Sequence, residues 1–197
     1  MSNVAISTAQ IKELREKSGA GIMESKRALE DTGGNIDKAI ELLRQQGVAK
    51  ASKKADRQAS QGLVEAYLHG GGRIGAMIEV NCETDFVART PDFQALARDI
   101  AMQVAAMSPQ YLSGDDIPES DISGLEAAHG SRDDAVKAVA LLDQVFIKDN
   151  KKTIRELVKE HIGKLGENIV VSRFSRFELG GDAHTASAAL RSTTTEG

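Results

Sequence analysis

Apolar positions in the first quarter of the chain recur at helical spacing and are punctuated by caps. Ser7 and Gln10 have capping-box spacing, and Ile6 with Ile11 has the spacing of a hydrophobic staple, which predicts a helix start. The Gly19-Ala20-Gly21 turn stops it, because glycine tolerates the left-handed geometry of a helix end. A second helix runs from about Ile22 to the Gly33-Gly34 pair. A third has Asn35 as its cap, Ile36, Ala39, Ile40 and Leu43 on one face, and Gly47 at its end. Helices this short need mutual packing, so residues 1–50 read as a three-helix bundle. From Lys50 to Gln61 the stripe is lost and Lys50, Lys53, Lys54 and Arg57 punctuate alanine and serine, so 51–61 reads as a basic linker.

From Gly62 the period changes to two. Val64, Ala66 and Leu68 alternate with Glu65, Tyr67 and His69, and Ile74, Ala76, Ile78 and Val80 repeat the pattern. Gly70-Gly71-Gly72 joins them, which predicts an antiparallel hairpin whose buried face carries these apolar residues. Thr90 and Pro91 open a long helix with the stripe Phe93, Leu96, Ala97, Ile100 and Val104, ending near Pro109. Residues 113–134 read as loop with short helical pieces, and Ala135 to Leu142 as helix. Thr153 and Glu156 form a second capping box before Ile154, Leu157, Val158, His161 and Ile162. Glu167 to Leu179 reads as a long strand whose buried face switches between Phe174 and Phe177, which predicts a bulge or bend. The tail 181–197 is small and polar and reads as disordered. The predicted class is α+β: a helical bundle at 1–50, a linker at 51–61, and a core at 62–180 with a small antiparallel sheet flanked by helices.

Composition narrows the function classes. The chain has 197 residues, 41% hydrophobic and 27% charged, as in globular proteins, but only 4% aromatic and no tryptophan, so the core must be aliphatic. A net charge of -4 gives no electrostatic reason for nucleic acid or an anionic membrane as partner. The single cysteine, Cys82, precludes an intrachain disulfide framework. Met1 to Ser7 lack the charged start and apolar core of a signal peptide, and no apolar run reaches membrane-helix length, so a cytoplasmic location is expected.

No catalytic constellation emerges. Gly70, Gly72 and Gly75 literally satisfy G-x-G-x-x-G, but a dinucleotide fingerprint needs a helix after it, and here a strand follows. His69, His129, His161 and His184 are scattered without zinc spacing, and His161 reads as a packing residue of its helix. Cys82 has no nearby histidine and reads as a small hydrophobe. The expectation is a non-enzyme without cofactor or metal. Two places resist a purely structural reading. In Ser18-Gly19-Ala20-Gly21-Ile22-Met23, two long apolar side chains follow a glycine turn, and core packing and partner contact stay open for them. In Asn81-Cys82-Glu83-Thr84-Asp85-Phe86-Val87-Ala88-Arg89, Thr84 can cap a helical turn that carries Asp85 and Phe86 at its start. An aromatic in such a connection is unusual, yet core packing of Phe86 remains the default on these residues alone.

These two segments carry a family resemblance. Leu14-Arg15, Ser18-Gly19-Ala20-Gly21-Ile22-Met23 and Lys26-Arg27-Ala28-Leu29 resemble the N-terminal signature of elongation factor Ts. Glu79 to Arg89 resembles its central signature, and Phe146-Ile147-Lys148-Asp149 with Gly166 to Val171 its C-terminal core. The resemblance implies a ubiquitin-associated-like three-helix module followed by an α+β core. It implies elongation factor Tu bound to GDP as the partner. It further implies that Thr84-Asp85-Phe86-Val87 intrudes near the partner's nucleotide site and displaces its Mg²⁺, and that Arg15, Ile22 and Met23 dock the partner's GTPase domain. Val145 in place of proline, Glu24-Ser25, and the stretch Gly124 to Ala140 depart from the family pattern. Longer members carry two core units where this chain has one, which leads to the expectation of a homodimer. The competing expectation is a protein-binding adaptor that uses the bundle and has no exchange activity.

Overall fold

The computed structural model describes residues 6–181 and 184–187. Among them, helices α1 (Thr8–Ser18), α2 (Ile22–Asp31) and α3 (Ile36–Ser52) come first. They are followed by β1 (Gln61–His69), β2 (Ile74–Cys82), α4 (Asp85–Ala88), α5 (Pro91–Met107), α6 (Glu119–His129) and α7 (Arg132–Val139). The chain continues through β3 (Val145–Phe146), β4 (Asp149–Thr153), α8 (Ile154–Leu165), β5 (Ile169–Glu178) and β6 (His184–Ser187). The class is α+β, as the sequence predicts. Two compact units result: Met1–Arg57 with Lys159–Asn168, and Gln58–Val158 with Ile169–Gly197. The last turns of α8 group with the N-terminal helices, an association that no local pattern predicts.

In the first unit the caps act as their spacing predicts. The Ser7 hydroxyl accepts from Gln10 N–H at 3.2 Å, and the Gln10 side-chain carbonyl accepts the Ser7 N–H at 3.0 Å. Leu14, Ala28, Leu29 and Ala39 form the core, with Ile6 and Ile11 packed on it as the staple requires. Gly47 does not end α3, which runs on to Ser52. Its role is spatial: a Cβ on Gly163 of α8 would stand only 3.0 Å from the Gly47 Cα, so two glycines let the backbones approach. The segment after α3 is held by the Asn168 amide, which donates to the carbonyls of Ala55 (3.3 Å) and Arg57 (2.8 Å).

In the second unit, four strands form an antiparallel sheet in the order β1-β2-β5-β6, and α5 packs on one face. The pairs Leu63↔Val80, Glu65↔Ile78 and Tyr67↔Ala76 share that inner face, so the outward residues of β1 are Val64, Ala66 and Leu68. The predicted buried face of β1 is thus reversed, although that of β2 is as expected. Period two identifies two faces without saying which one the helix covers. The predicted bulge exists, but at Ser172 rather than between Phe174 and Phe177: register shifts so that Val171 pairs Val80 while Arg173 pairs Glu79. The Ser172 hydroxyl bonds the Asn81 side chain there. Phe174 and Arg176 point inward, Arg176 being 5% exposed with its Nε–H donated to the Ala105 carbonyl, and Phe177 points outward.

The expected loop at 113–134 contains a full helix. α6 pairs with α7 around Ile117, Ile122 and Val139. α7 spans Arg132–Val139 rather than Ala135 to Leu142, because the Ser131 hydroxyl caps it by accepting from Asp134 N–H at 3.1 Å. Tyr111 donates its hydroxyl to the Asp121 carboxylate at 2.6 Å, which pushes the phenol up to about 12 and holds the carboxyl below its ordinary value. The short β3–β4 hairpin hangs on buried Gln103: its amide donates to the Val145 carbonyl (3.1 Å) and accepts from Ile147 N–H (3.0 Å). The tail expected to be disordered pairs in part, His184–Ser187 lying antiparallel to Arg173–Arg176. Apart from Gly181, the rest of that tail lies outside the described residues. No helix among the described residues is long and apolar enough to cross a membrane.

Candidate functional site

Strand β2 ends at Cys82, a free and fully buried cysteine whose thiol donates to the Thr84 carbonyl at 3.1 Å. Thr84 is extended (φ -127, ψ 155), and its hydroxyl accepts the Val87 N–H at 3.4 Å, so it caps the single turn α4 as its residue type predicts. At the far end the Thr90 hydroxyl both donates to the Val87 carbonyl (2.8 Å) and accepts the Phe93 N–H (3.3 Å). The turn is therefore clamped between the end of β2 and the start of α5. Buried Ala88 anchors it below, and Thr84, Asp85 and Val87 are half-buried. The Asp85 carboxylate meets the Arg89 guanidinium at 2.8 Å, one turn on.

Phe86 behaves otherwise. It is 79% exposed, more than any other large apolar residue among those described. Packing does not account for it, and the default core reading of this side chain is overturned. The turn is thus clamped at both ends while it holds the Phe86 ring in solvent.

In the first unit, Arg15, Ile22 and Met23 flank the glycine turn. Gly19 closes α1 with φ 68, its N–H donating to the Arg15 carbonyl at 2.8 Å. Gly21 caps α2, so Ile22 and Met23 occupy its first two positions. At 57% and 74% exposed, neither side chain belongs to the Leu14–Leu29 core, which removes the packing alternative for both. Arg15 is also exposed and makes no ion pair among the described residues. The structure thus brings Arg15, Ile22 and Met23 together in one unit and Thr84, Asp85, Phe86 and Val87 in the other.

Little else among the described residues suggests chemistry. Among the described residues, no group of three His, Cys, Asp or Glu side chains could hold a metal ion. Gly70, Gly71 and Gly72 all have positive φ in the hairpin turn, and β2 follows them. His161 is half-buried on α8, in keeping with a packing role. One surface feature escapes sequence reasoning: the outward sheet face presents Val64, Leu68, Met77, Phe177 and Leu179 together, from 50% to 72% exposed. The pattern holds the signal, since Val64, Ala66 and Leu68 form an apolar alternation, but such a row reads as interior.

Comparison with known proteins agrees with the two signatures. The family described as Elongation factor TS matches residues 3–128. The chain is 49% identical over 194 aligned positions to an elongation factor Ts of Carboxydothermus hydrogenoformans, covering 89% of each chain. It is 48% identical to that of Desulfitobacterium hafniense at the same coverage. With that of Leptospira biflexa it shares 46% over 198 positions, covering 91% of this chain and 100% of the relative. A match of this extent, running through both exposed apolar sites, shows that the chain belongs to the elongation factor Ts family of translation elongation factors.

Proposed function

We propose that the protein is a guanine-nucleotide exchange factor that binds elongation factor Tu carrying GDP and promotes GDP release in the cytoplasm. It acts by binding and is not itself an enzyme. Residues 1–50 dock the partner through Arg15, Ile22 and Met23, and the core at 62–180 presents Thr84, Asp85, Phe86 and Val87 as a wedge. The observation that carries this reading is the clamped turn with Phe86 outside it. If the partner holds Mg²⁺ between phosphate oxygens and a phosphate-binding-loop hydroxyl, shifting the metal's supports removes a major neutraliser of phosphate charge. A wedge held at both ends transmits that strain, whereas a mobile aromatic would lose side-chain entropy on insertion and deliver less.

Linkage supplies the test. Whatever factor this protein takes from nucleotide affinity, nucleotide takes from the affinity of this protein. Its dissociation constant for elongation factor Tu should therefore be larger with GDP and Mg²⁺ bound than with the nucleotide removed, by about 5- to 150-fold. Equal affinity for both forms would leave the adaptor reading, a bundle that binds without exchange.

The homodimer belongs to the same reading. Pairing through the edge of β5 is closed along Arg173–Arg176, where β2 and β6 already flank it. Packing of the outward sheet face on a second copy stays available, and its strip of Val64, Leu68, Met77, Phe177 and Leu179 is apolar enough to centre a two-fold interface.

A further inference from the structure

Just before the turn of Phe86, the outward face of the sheet carries a polar network centred on Asn81. Its amide nitrogen donates to the Gln61 carbonyl of β1 at 3.2 Å and to the Glu79 carboxylate at 3.3 Å. Its amide oxygen accepts the hydroxyl of Ser172, the bulged residue of β5. Arg173, next along β5, donates its Nε–H to the other Glu79 oxygen at 2.7 Å. One side chain on β2 thus joins three strands. On the β1 side the approach depends on Gly62, which pairs with Asn81. Its φ is 148, and a Cβ there would stand 2.1 Å from the Val80 carbonyl oxygen and 2.7 Å from the Asn81 Cα, so no other residue fits.

The place of this network in the chain gives it a mechanical consequence. Asn81 and Cys82 are consecutive at the end of β2, so their side chains leave opposite faces of the sheet. The Asn81 amide fixes the strand end from outside, while buried Cys82 donates its thiol to the Thr84 carbonyl from inside. A turn that presses an aromatic on a partner returns the force through its two supports. One is Thr90 at the start of α5, and the other is the end of β2. Strand ends open more readily than strand centres, so the second support is only as rigid as the bonds across it. Both hydrogens and the oxygen of the Asn81 amide are engaged, and a satisfied polar network specifies one geometry. We propose that Asn81 is a positioning residue for nucleotide exchange: by tying β1, β2 and β5 together it keeps the end of β2 from yielding, so that Phe86 delivers its strain to the partner. The proposal rests on the wedge reading of residues 84–87.

The test follows GDP release from elongation factor Tu over a range of concentrations of this protein, which separates the maximal rate from the half-maximal concentration. Asn81→Asp keeps the shape and the acceptor for Ser172, but it cannot donate to Gln61 and it sets a like charge beside Glu79. It should lower the maximal rate by about 3- to 10-fold, the scale of one or two lost hydrogen bonds, with the half-maximal concentration unchanged. Ser172→Ala removes one half-buried hydroxyl and should lower the rate about threefold, with the fold kept. It carries the test if Asn81→Asp fails to fold. Because both residues act through Phe86, neither change should slow release further when added to Phe86→Ala. Parental rates for both variants beside a slow Phe86→Ala would overturn the role of Asn81 alone. Equal slowing with and without Phe86 would mean a general loosening of the fold, and would also overturn it. A parental rate for Phe86→Ala would remove the wedge reading and this proposal with it.

Discussion

Replacing Phe86 by alanine separates a wedge from a core residue. A fully buried Phe→Ala change costs about 3–5 kcal/mol. Phe86 is 79% exposed, so about a fifth of its surface is at stake, and the same scale gives about 0.6–1 kcal/mol. In a chain of this length that lowers Tm by about 2–4 °C at most. The clamps on the turn involve other groups: the Thr84 hydroxyl on Val87 N–H, the Thr90 hydroxyl on the Val87 carbonyl, and Asp85 with Arg89. They survive the substitution. If the aromatic delivers the strain, its loss should remove about 1–3 kcal/mol of the coupling between nucleotide binding and binding of this protein, and GDP release should slow. The assay pairs a thermal melt with release of labelled GDP from elongation factor Tu, at a concentration that saturates docking. A Tm drop above about 10 °C would return Phe86 to the core. A folded variant with the parental release rate would refute the wedge.

Three further outcomes are expected. Deleting residues 1–50 should weaken partner binding strongly, and full exchange by the truncated chain at low concentration would contradict a docking role for the bundle. Light scattering should give twice the chain mass, and Phe177→Glu, which places a charge on the outward sheet face, should shift it toward the monomer; a strict monomer at high concentration, free and partner-bound, would count against the dimer. Tyr111 should keep its proton to about pH 12, which phenolate absorbance of the parent compared with Tyr111→Phe resolves. Because the folded value lies above the ordinary 10.0, the bond to Asp121 stabilises the fold fully below that ordinary value and is lost as pH rises through about 12.

Local chemistry is legible in the sequence, and long-range packing is not. Ser7, Asn35, Thr84 and Thr90 each cap the helix that their spacing predicts, since a cap needs only the next three residues. Gly47 reads as a helix stop because its actual neighbour, Gly163, is distant in sequence. The face of β1 is misassigned because Val64 and Leu68 are more apolar than Glu65 and Tyr67, and only the position of α5 decides which row is covered. Gln103 carries no apolar signal, yet its amide satisfies the β3–β4 hairpin from inside the core. At the candidate site, the capped turn can be read from Thr84, whereas the exposure of Phe86 depends on what surrounds the turn in space. Family resemblance singles out Phe86 where periodicity does not.

If binding of this protein drives nucleotide off its partner, the effect is visible in a single exchange assay. Purified elongation factor Tu is loaded with labelled GDP in the presence of Mg²⁺, excess unlabelled GDP is added, and release is followed with and without this protein. Substoichiometric amounts should accelerate release well above the spontaneous rate, and the acceleration should saturate as the concentration rises. An unchanged release rate at concentrations where the two proteins demonstrably bind would contradict the exchange function.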